Sequence, residues 1–265
     1  MPNNAPIGIF DSGLGGLTVF AAIKRRLPRE SLVYLGDTAR VPYGTKSDET
    51  VVRYSLENAE FLESHGVKAI VLACNTASAI ALPALTARSH IPVIGVVDPG
   101  ARAALMHEGV HTVGVIGTPA TIASDAYGRA LRAERNVKVL SIACALFVPL
   151  VEEGWGAGDI PRRVAEEYLG PLKKAHIEVL ILGCTHYPLM KEVIREVMGE
   201  GVRLVDSGEA TADTLARLLD ERGLAAESTH IPEDRIYVTD VPGKFETVAR
   251  RFLGDGLPKV QRVSL

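Results

Sequence analysis

Short apolar runs alternate with longer stretches of helical periodicity along almost the whole chain. PIGIF (6–10), SLVYLGD (31–37) and VKAIVLAC (67–74) read as β-strands. Between them lie LTVFAAIKRRL (17–27) and a helical stretch over 48–64. A second series follows IPVIGVVDPG (91–100), whose Pro99-Gly100 pair punctuates the chain. It runs TVGVIGTPAT from 112, a helical run, VKVLSIAC (137–144), a long helix over 160–174, and IEVLILGC (177–184). Strands alternating with helices predict βαβ units and a parallel sheet. IVLA and LILG are apolar without alternation, the pattern of central strands covered by helices on both faces.

The two series match each other. Asp11 to Cys74 spans 63 residues and Gly117 to Cys184 spans 67, each from a strand-end loop to a strand-end cysteine. An internal duplication is the simplest explanation. The last part, RLVDSGEATADTLARLLDERG and RIYVTDVPGKFETVARRFLG, reads as strand, loop and helix, then a further strand and helix. The fold class expected is therefore α/β: two similar parallel-sheet lobes with the active site in the cleft between them. Residues 1–97 plus 207–265 are expected to form a discontinuous first lobe, and 98–206 the second.

Composition narrows the function. The chain has 265 residues, 47% hydrophobic and 23% charged, with a formal net charge of -3. That is a globular composition, long enough for a sizeable core. Basic and acidic residues are interspersed, so no footprint for nucleic acid or an anionic membrane is visible. No apolar run approaches the length of a membrane helix, and MPNNAPIGIF lacks the character of a signal peptide. A cytoplasmic enzyme acting on a small molecule is expected. Three cysteines, Cys74, Cys144 and Cys184, are too few and too odd in number for a disulfide scaffold.

Ligands of open α/β sheets sit outside the carboxyl ends of the strands. Asp11-Ser12 closes PIGIF, Cys74-Asn75-Thr76 closes AIVLA, Thr118 follows VGVIG, and Cys184-Thr185-His186 closes VLILG. Both thiols are expected at helix N-termini, where N–H groups and the helix dipole favour thiolate. Two acid/base thiols on related lobes suit a racemase or epimerase, one removing a proton and the other returning one to the opposite face. Asp11 and His186 could tune them or shuttle protons. Glu152 is a weaker candidate, because Glu152-Glu153 also reads as a solvated acidic pair.

Other readings compete. Cys144, in the apolar SIACALFV, reads as a small buried hydrophobe. FDSGLGGLT with Asp37 resembles a dinucleotide fingerprint, yet Thr18 holds the third glycine position and Asp11 sits where a pyrophosphate would approach. Zinc fits poorly, with neither C-x-x-C nor H-x-x-x-H spacing. A cysteine acting as covalent nucleophile, a racemase for aspartate or another acid, and a non-catalytic clamp for a small acid remain alternatives.

IGIFDSGLGGLTV, YLGDTARVPYG, VLACNTASA, GVIGTPAT, PLVEEG and LGCTHYPL, in that order over nearly the whole chain, resemble the glutamate racemases of the aspartate/glutamate racemase family. The resemblance implies interconversion of L- and D-glutamate without metal or organic cofactor, supplying D-glutamate for peptidoglycan. It implies that Cys74 takes the α-proton from D-glutamate and Cys184 from L-glutamate. Asp11 would assist Cys74; His186 and Glu152 would assist Cys184. Asp11, Ser12, Tyr43, Gly44, Asn75, Thr76, Thr185 and His186 match substrate-binding positions, with Thr118 and Thr121 helping to hold a carboxylate. A homodimer of two-lobed subunits is implied.

Overall fold

The computed structural model describes residues 3–227, 229–253 and 257–265. The chain starts β1 (Ile7–Asp11), α1 (Leu17–Arg26), β2 (Leu32–Gly36), α2 (Asp48–Ser64), β3 (Ala69–Leu72), α3 (Asn75–Arg88), β4 (Val93–Gly95) and α4 (Val97–Ala104). It continues β5 (Thr112–Gly117), α5 (Pro119–Ala123), α6 (Ala126–Glu134), β6 (Lys138–Ala143), α7 (Phe147–Glu152) and α8 (Asp159–Lys174). Then come β7 (Val179–Gly183), α9 (Lys191–Met198), β8 (Arg203–Asp206), α10 (Ser207–Glu221), β9 (Arg235–Val238), α11 (Pro242–Leu253) and β10 (Val260–Arg262). Short 3-10 turns occupy Tyr43–Thr45 and Tyr187–Met190. Among the described residues no helix is long and apolar enough to cross a membrane.

The strands form two parallel sheets, ordered β10-β9-β2-β1-β3-β4 and β6-β5-β7-β8. The run β2-β1-β3-β4 has the same order as β6-β5-β7-β8, so the duplication read from spacing is a repeated topology. It extends to packing. Gly8, in β1, leaves room for Leu62 and Val67; Gly114, at the equivalent register of β5, leaves room for Leu172 and Ile177. In both lobes the helix before the third strand presses on the central strand, and a Cβ would intrude.

Each sheet is apolar on both faces, as its unalternating strands require. Ile7, Ile9, Leu32, Tyr34 and Val71 face α1, α10 and α11, while Phe10, Val33, Leu35, Ile70 and Leu72 face α2 and α3. In the second lobe Ile116, Leu180 and Leu182 pack on α8 and α9, and Val113, Val115, Val179 and Ile181 pack on α4 and α6. Helix ends carry local signals. Ser47 caps α2 by accepting from Thr50 N–H, with Asp48 and Glu49 in the first turn; α1 ends in Lys24, Arg25 and Arg26. The loop expected between RLVD and the following helix is absent: Asp206 ends β8 and itself caps α10, accepting from Gly208 N–H at 2.9 Å.

At the amino-terminal edge of the first sheet, away from the cavity described below, lies a buried ion pair. Lys68 Nζ is 2.6 Å from Glu30 Oε2, with side chains 0% and 3% exposed. Lys68 also donates to the carbonyls of Asn3 and Leu224, and Glu30 accepts from Ala226 N–H. Removing one partner strands a charge in a dry site, whereas removing both does not. Lys68→Met alone should lower unfolding stability by about 3–5 kcal/mol. The double variant Lys68→Met/Glu30→Leu should recover most of it; urea unfolding of the three proteins measures both.

Candidate active site

The carboxyl ends of β1, β3, β5 and β7 converge on one cavity of about 320 Å³ between the lobes. Ser12, Tyr43, Gly44, Cys74, Asn75, Thr76, Thr118, Glu152, Cys184, Thr185 and His186 line it. Eleven of the residues singled out in the sequence thus share one wall. Asp11 and Thr121 stand just behind it: Asp11 Oδ1 accepts from Thr185 Oγ1 at 3.5 Å, and Thr121 Oγ1 is bonded to Thr76 and Thr118. Each lobe contributes one buried thiol. Cys144 is buried in the second lobe's core, off the cavity. No group of three His, Cys, Asp or Glu side chains among the described residues is arranged to hold a metal.

The two thiols have different surroundings. Cys74 caps α3 with extended backbone, at the expected helix N-terminus. Its sulfur lies 3.7 Å from Ser12 Oγ. Burial, reinforced by the Asp11 charge, nevertheless pushes its pKa up to about 12, so desolvation outweighs the helix N–H groups. Cys184 corrects the expectation outright. The residues after it form only the 3-10 turn Tyr187–Met190, and α9 begins at Lys191, so no α-helix starts at this thiol.

What stands beside Cys184 is an imidazole. His186 Nδ1 is 3.8 Å from Cys184 Sγ, and Nε2 is 3.1 Å from Glu152 Oε1. Burial opposes charging the ring, but the hydrogen bonds to Cys184 and Glu152 and the nearby negative charge prevail, raising its pKa to about 10. The sulfur therefore has a positive charge next to it. Glu152 is no idle surface acid; α7 carries it to the cavity rim. Asp11 is raised from its ordinary value by burial, against the pull of His186 and the N–H groups of Gly13 and Gly16.

Several contacts join the lobes here. Thr18 Oγ1 donates to the carbonyl of Thr185 at 3.0 Å, and the hydroxyls of Thr76, Thr118 and Thr121 lie 3.0–3.2 Å apart. The glycine run explains itself at this seam: a Cβ on Gly15 would stand 2.2 Å from Thr185 Oγ1 and 2.5 Å from His186 Nδ1. The loop needs glycine so that the lobes can approach, not to admit a pyrophosphate.

Sequence reasoning missed the apolar wall, Val41, Pro42, Pro119, Ala145, Val148 and Pro149, because nothing in a single sequence aims these side chains inward. It also missed what holds the Tyr43–Thr45 turn. Tyr43 OH donates to Asp37, which Arg40 grips at 2.7 and 3.0 Å, while Asn58 Nδ2 donates to Tyr43 OH at 3.0 Å and Thr239 Oγ1 donates to Asp37. Asp37, fully buried, is the hub. Its place at a strand end was the available signal.

A cavity at the carboxyl ends of two duplicated parallel lobes, with one thiol from each and an imidazole against one of them, defines a two-lobed α/β enzyme built for proton transfer. The chain belongs to the Asp/Glu/Hydantoin racemase family, whose model matches residues 7–215. It is an amino-acid racemase, an isomerase. A glutamate racemase of Syntrophus aciditrophicus (strain SB) is 51% identical over 265 residues, covering 100% of this chain and 98% of its own. The structure is similar to glutamate racemase from Thermus thermophilus in complex with beta-chloro-D-alanine: TM-score 0.91, 48% identity, 100% and 99% of the two chains. It is also similar to glutamate racemase from Francisella tularensis in complex with D-glutamate, with TM-score 0.92, 43% identity, and 99% and 98% covered.

Two outcomes are expected. The raised His186 pKa means that its contribution to stability is complete below the ordinary value of 6.5 and disappears as pH rises through about 10. The melting temperature of the parent should therefore fall more steeply between pH 7 and 10 than that of His186→Asn. Asp37→Ala should free the turn: amide hydrogen exchange over 41–46 should speed up, with protection in the middle of α2 unchanged.

Proposed function

We propose that this chain interconverts L- and D-glutamate by proton transfer between two thiols, without a cofactor. The observation that supports this reading is the pair of buried cysteines, one at the equivalent strand end of each lobe, on the wall of a single cavity. The similar proteins named as glutamate racemases, one of them in complex with D-glutamate, favour glutamate as substrate.

Cys184 starts as thiolate beside the His186 imidazolium and removes the α-proton of L-glutamate. The C–H electron pair passes to the α-carbon and spreads onto the α-carboxylate. Cys74, kept protonated by burial, delivers its proton to the opposite face, giving D-glutamate. The enzyme is left with its charge on Cys74, ready for the reverse reaction, with Asp11 assisting there as His186 and Glu152 assist Cys184. An amino acid's α-proton is far less acidic than a thiol, so the site must stabilise the carbanion electrostatically. Asn75 and Thr76, in the first turn of α3, together with Thr185, would bind the α-carboxylate where its charge grows. Ser12 and the Tyr43-Gly44 turn would bind the other end of the substrate, and Thr118 and Thr121 would brace Thr76.

Residues 1–97 with 207–265, and 98–206, would be the lobes that close on the substrate and exclude water. A cytoplasmic homodimer supplying D-glutamate for peptidoglycan completes the proposal.

The purified protein incubated with L-glutamate in D₂O should lose optical activity and gain deuterium at the α-carbon together. Cys74→Ala and Cys184→Ala should each reduce racemisation by at least about a thousandfold. Near-parental rates in either variant would sink the two-thiol mechanism, and loss of neither optical activity nor α-hydrogen in the parent would favour a binding clamp. Faster turnover of L-aspartate would move the proposal to another acid.

A further inference from the structure

One polar atom in the cavity wall is left unmatched by the protein. Asn75 is 2% exposed and lines the cavity, and its amide nitrogen Nδ2 has no hydrogen-bond partner among the described residues. The other side of the same amide is fully engaged: Oδ1 accepts from the hydroxyl of Tyr127 at 2.6 Å. The two residues come from different lobes, Asn75 from the first turn of α3 and Tyr127 from α6.

A side-chain amide can turn over by half a rotation, exchanging a donor for an acceptor with almost no change in shape. In this cavity the difference decides function. NH₂ facing inward attracts a carboxylate; a carbonyl oxygen in the same place repels it. Whatever fixes the amide therefore fixes the sign of the site at this point. Tyr127 is well placed to do so. It is 2% exposed, and its ring is held against Gly100 and Gly183, where an added Cβ would come within 3.2 and 3.0 Å of it. Among the described residues its hydroxyl makes one hydrogen bond, the one it donates to Asn75 Oδ1. Burial holds the phenol far above its ordinary pKa, so the proton it donates stays in place across physiological pH.

We propose that Tyr127 is a positioning residue: its hydroxyl reaches across from the second lobe and locks the Asn75 amide with NH₂ toward the cavity, where it donates to a substrate carboxylate. This rests on the reading of the cavity as an amino-acid site. Because lock and amide belong to different lobes, the donor is correctly oriented only while the lobes are docked.

Tyr127→Phe keeps the ring and removes the lock. D-glutamate binding, measured by calorimetry, should weaken by about tenfold, with KM rising alongside, while the melting temperature changes by only a few degrees. In an Asn75→Ala background the same substitution should add less than about twofold, because there is no amide left to orient. An equal loss in both backgrounds, or unchanged binding, would overturn the proposal. If Tyr127→Phe does not fold, the parent tests the lock by itself: a sharp Asn75 side-chain NH₂ pair supports it, and a pair broadened by turnover overturns it. The Asn75 side-chain NH₂ resonances provide a readout without substrate: a sharp pair in the parent, broadened by turnover in Tyr127→Phe. If the parent binds no glutamate but Tyr127→Phe still shows this broadening, the substrate reading falls and the lock stands. Unchanged resonances would overturn the lock itself.

Discussion

Helices cover both faces of both sheets, so a polar side chain has few places to emerge in contact with a ligand. The carboxyl ends of the parallel strands are one, because there the chain must leave the sheet and turn into a helix. This constraint gathers the site. Asp11 ends β1, and in both lobes a cysteine stands within two residues of the third strand's end, Cys74 after β3 and Cys184 directly after β7. Setting two such lobes with their carboxyl ends toward each other turns two sets of strand-end residues into one cavity. The core that stabilises each lobe is thus also what aims its thiol.

Duplication supplies symmetry of position but not of charge. Cys74 has an acid and a hydroxyl for neighbours and stays protonated; Cys184 has an imidazole held by a carboxylate. The two-base reaction proposed for this chain would need one thiol charged and the other neutral at the start, and the two surroundings are unequal. The cavity wall carries no lysine or arginine among its described residues, although the proposed substrate is an anion. Donor groups of α3, the threonine hydroxyls and the His186 charge are left to bind it. A mobile, strongly hydrated ammonium would bind substrate and carbanion alike, whereas fixed dipoles can be aimed at the oxygens where charge grows.

The glycine-rich loop illustrates how one motif can carry two meanings. FDSGLGG has the look of a nucleotide loop because both solve the same steric problem, a sharp turn out of a strand with something pressed close against it. In this chain the thing pressed close is the other lobe, at Thr185 and His186. No property of the loop alone distinguishes these cases.

The sequence by itself determined the elements, the duplication and the residues at the strand ends. Those follow from local hydrophobic period and from turn chemistry, which are written in neighbouring residues. It placed Cys74 and Cys184 correctly at the ends of β3 and β7, and the residues matched by resemblance converge on the cavity. The tertiary structure alone decided the electrostatics and the cross-lobe contacts. That Glu152 reaches His186, that Asp37 holds Tyr43 and that Tyr127 holds Asn75 all depend on side chains meeting across 6 to 52 residues of chain. Charge and hydrogen bonding act over a few ångströms of space, and one sequence does not say which distant residues share them.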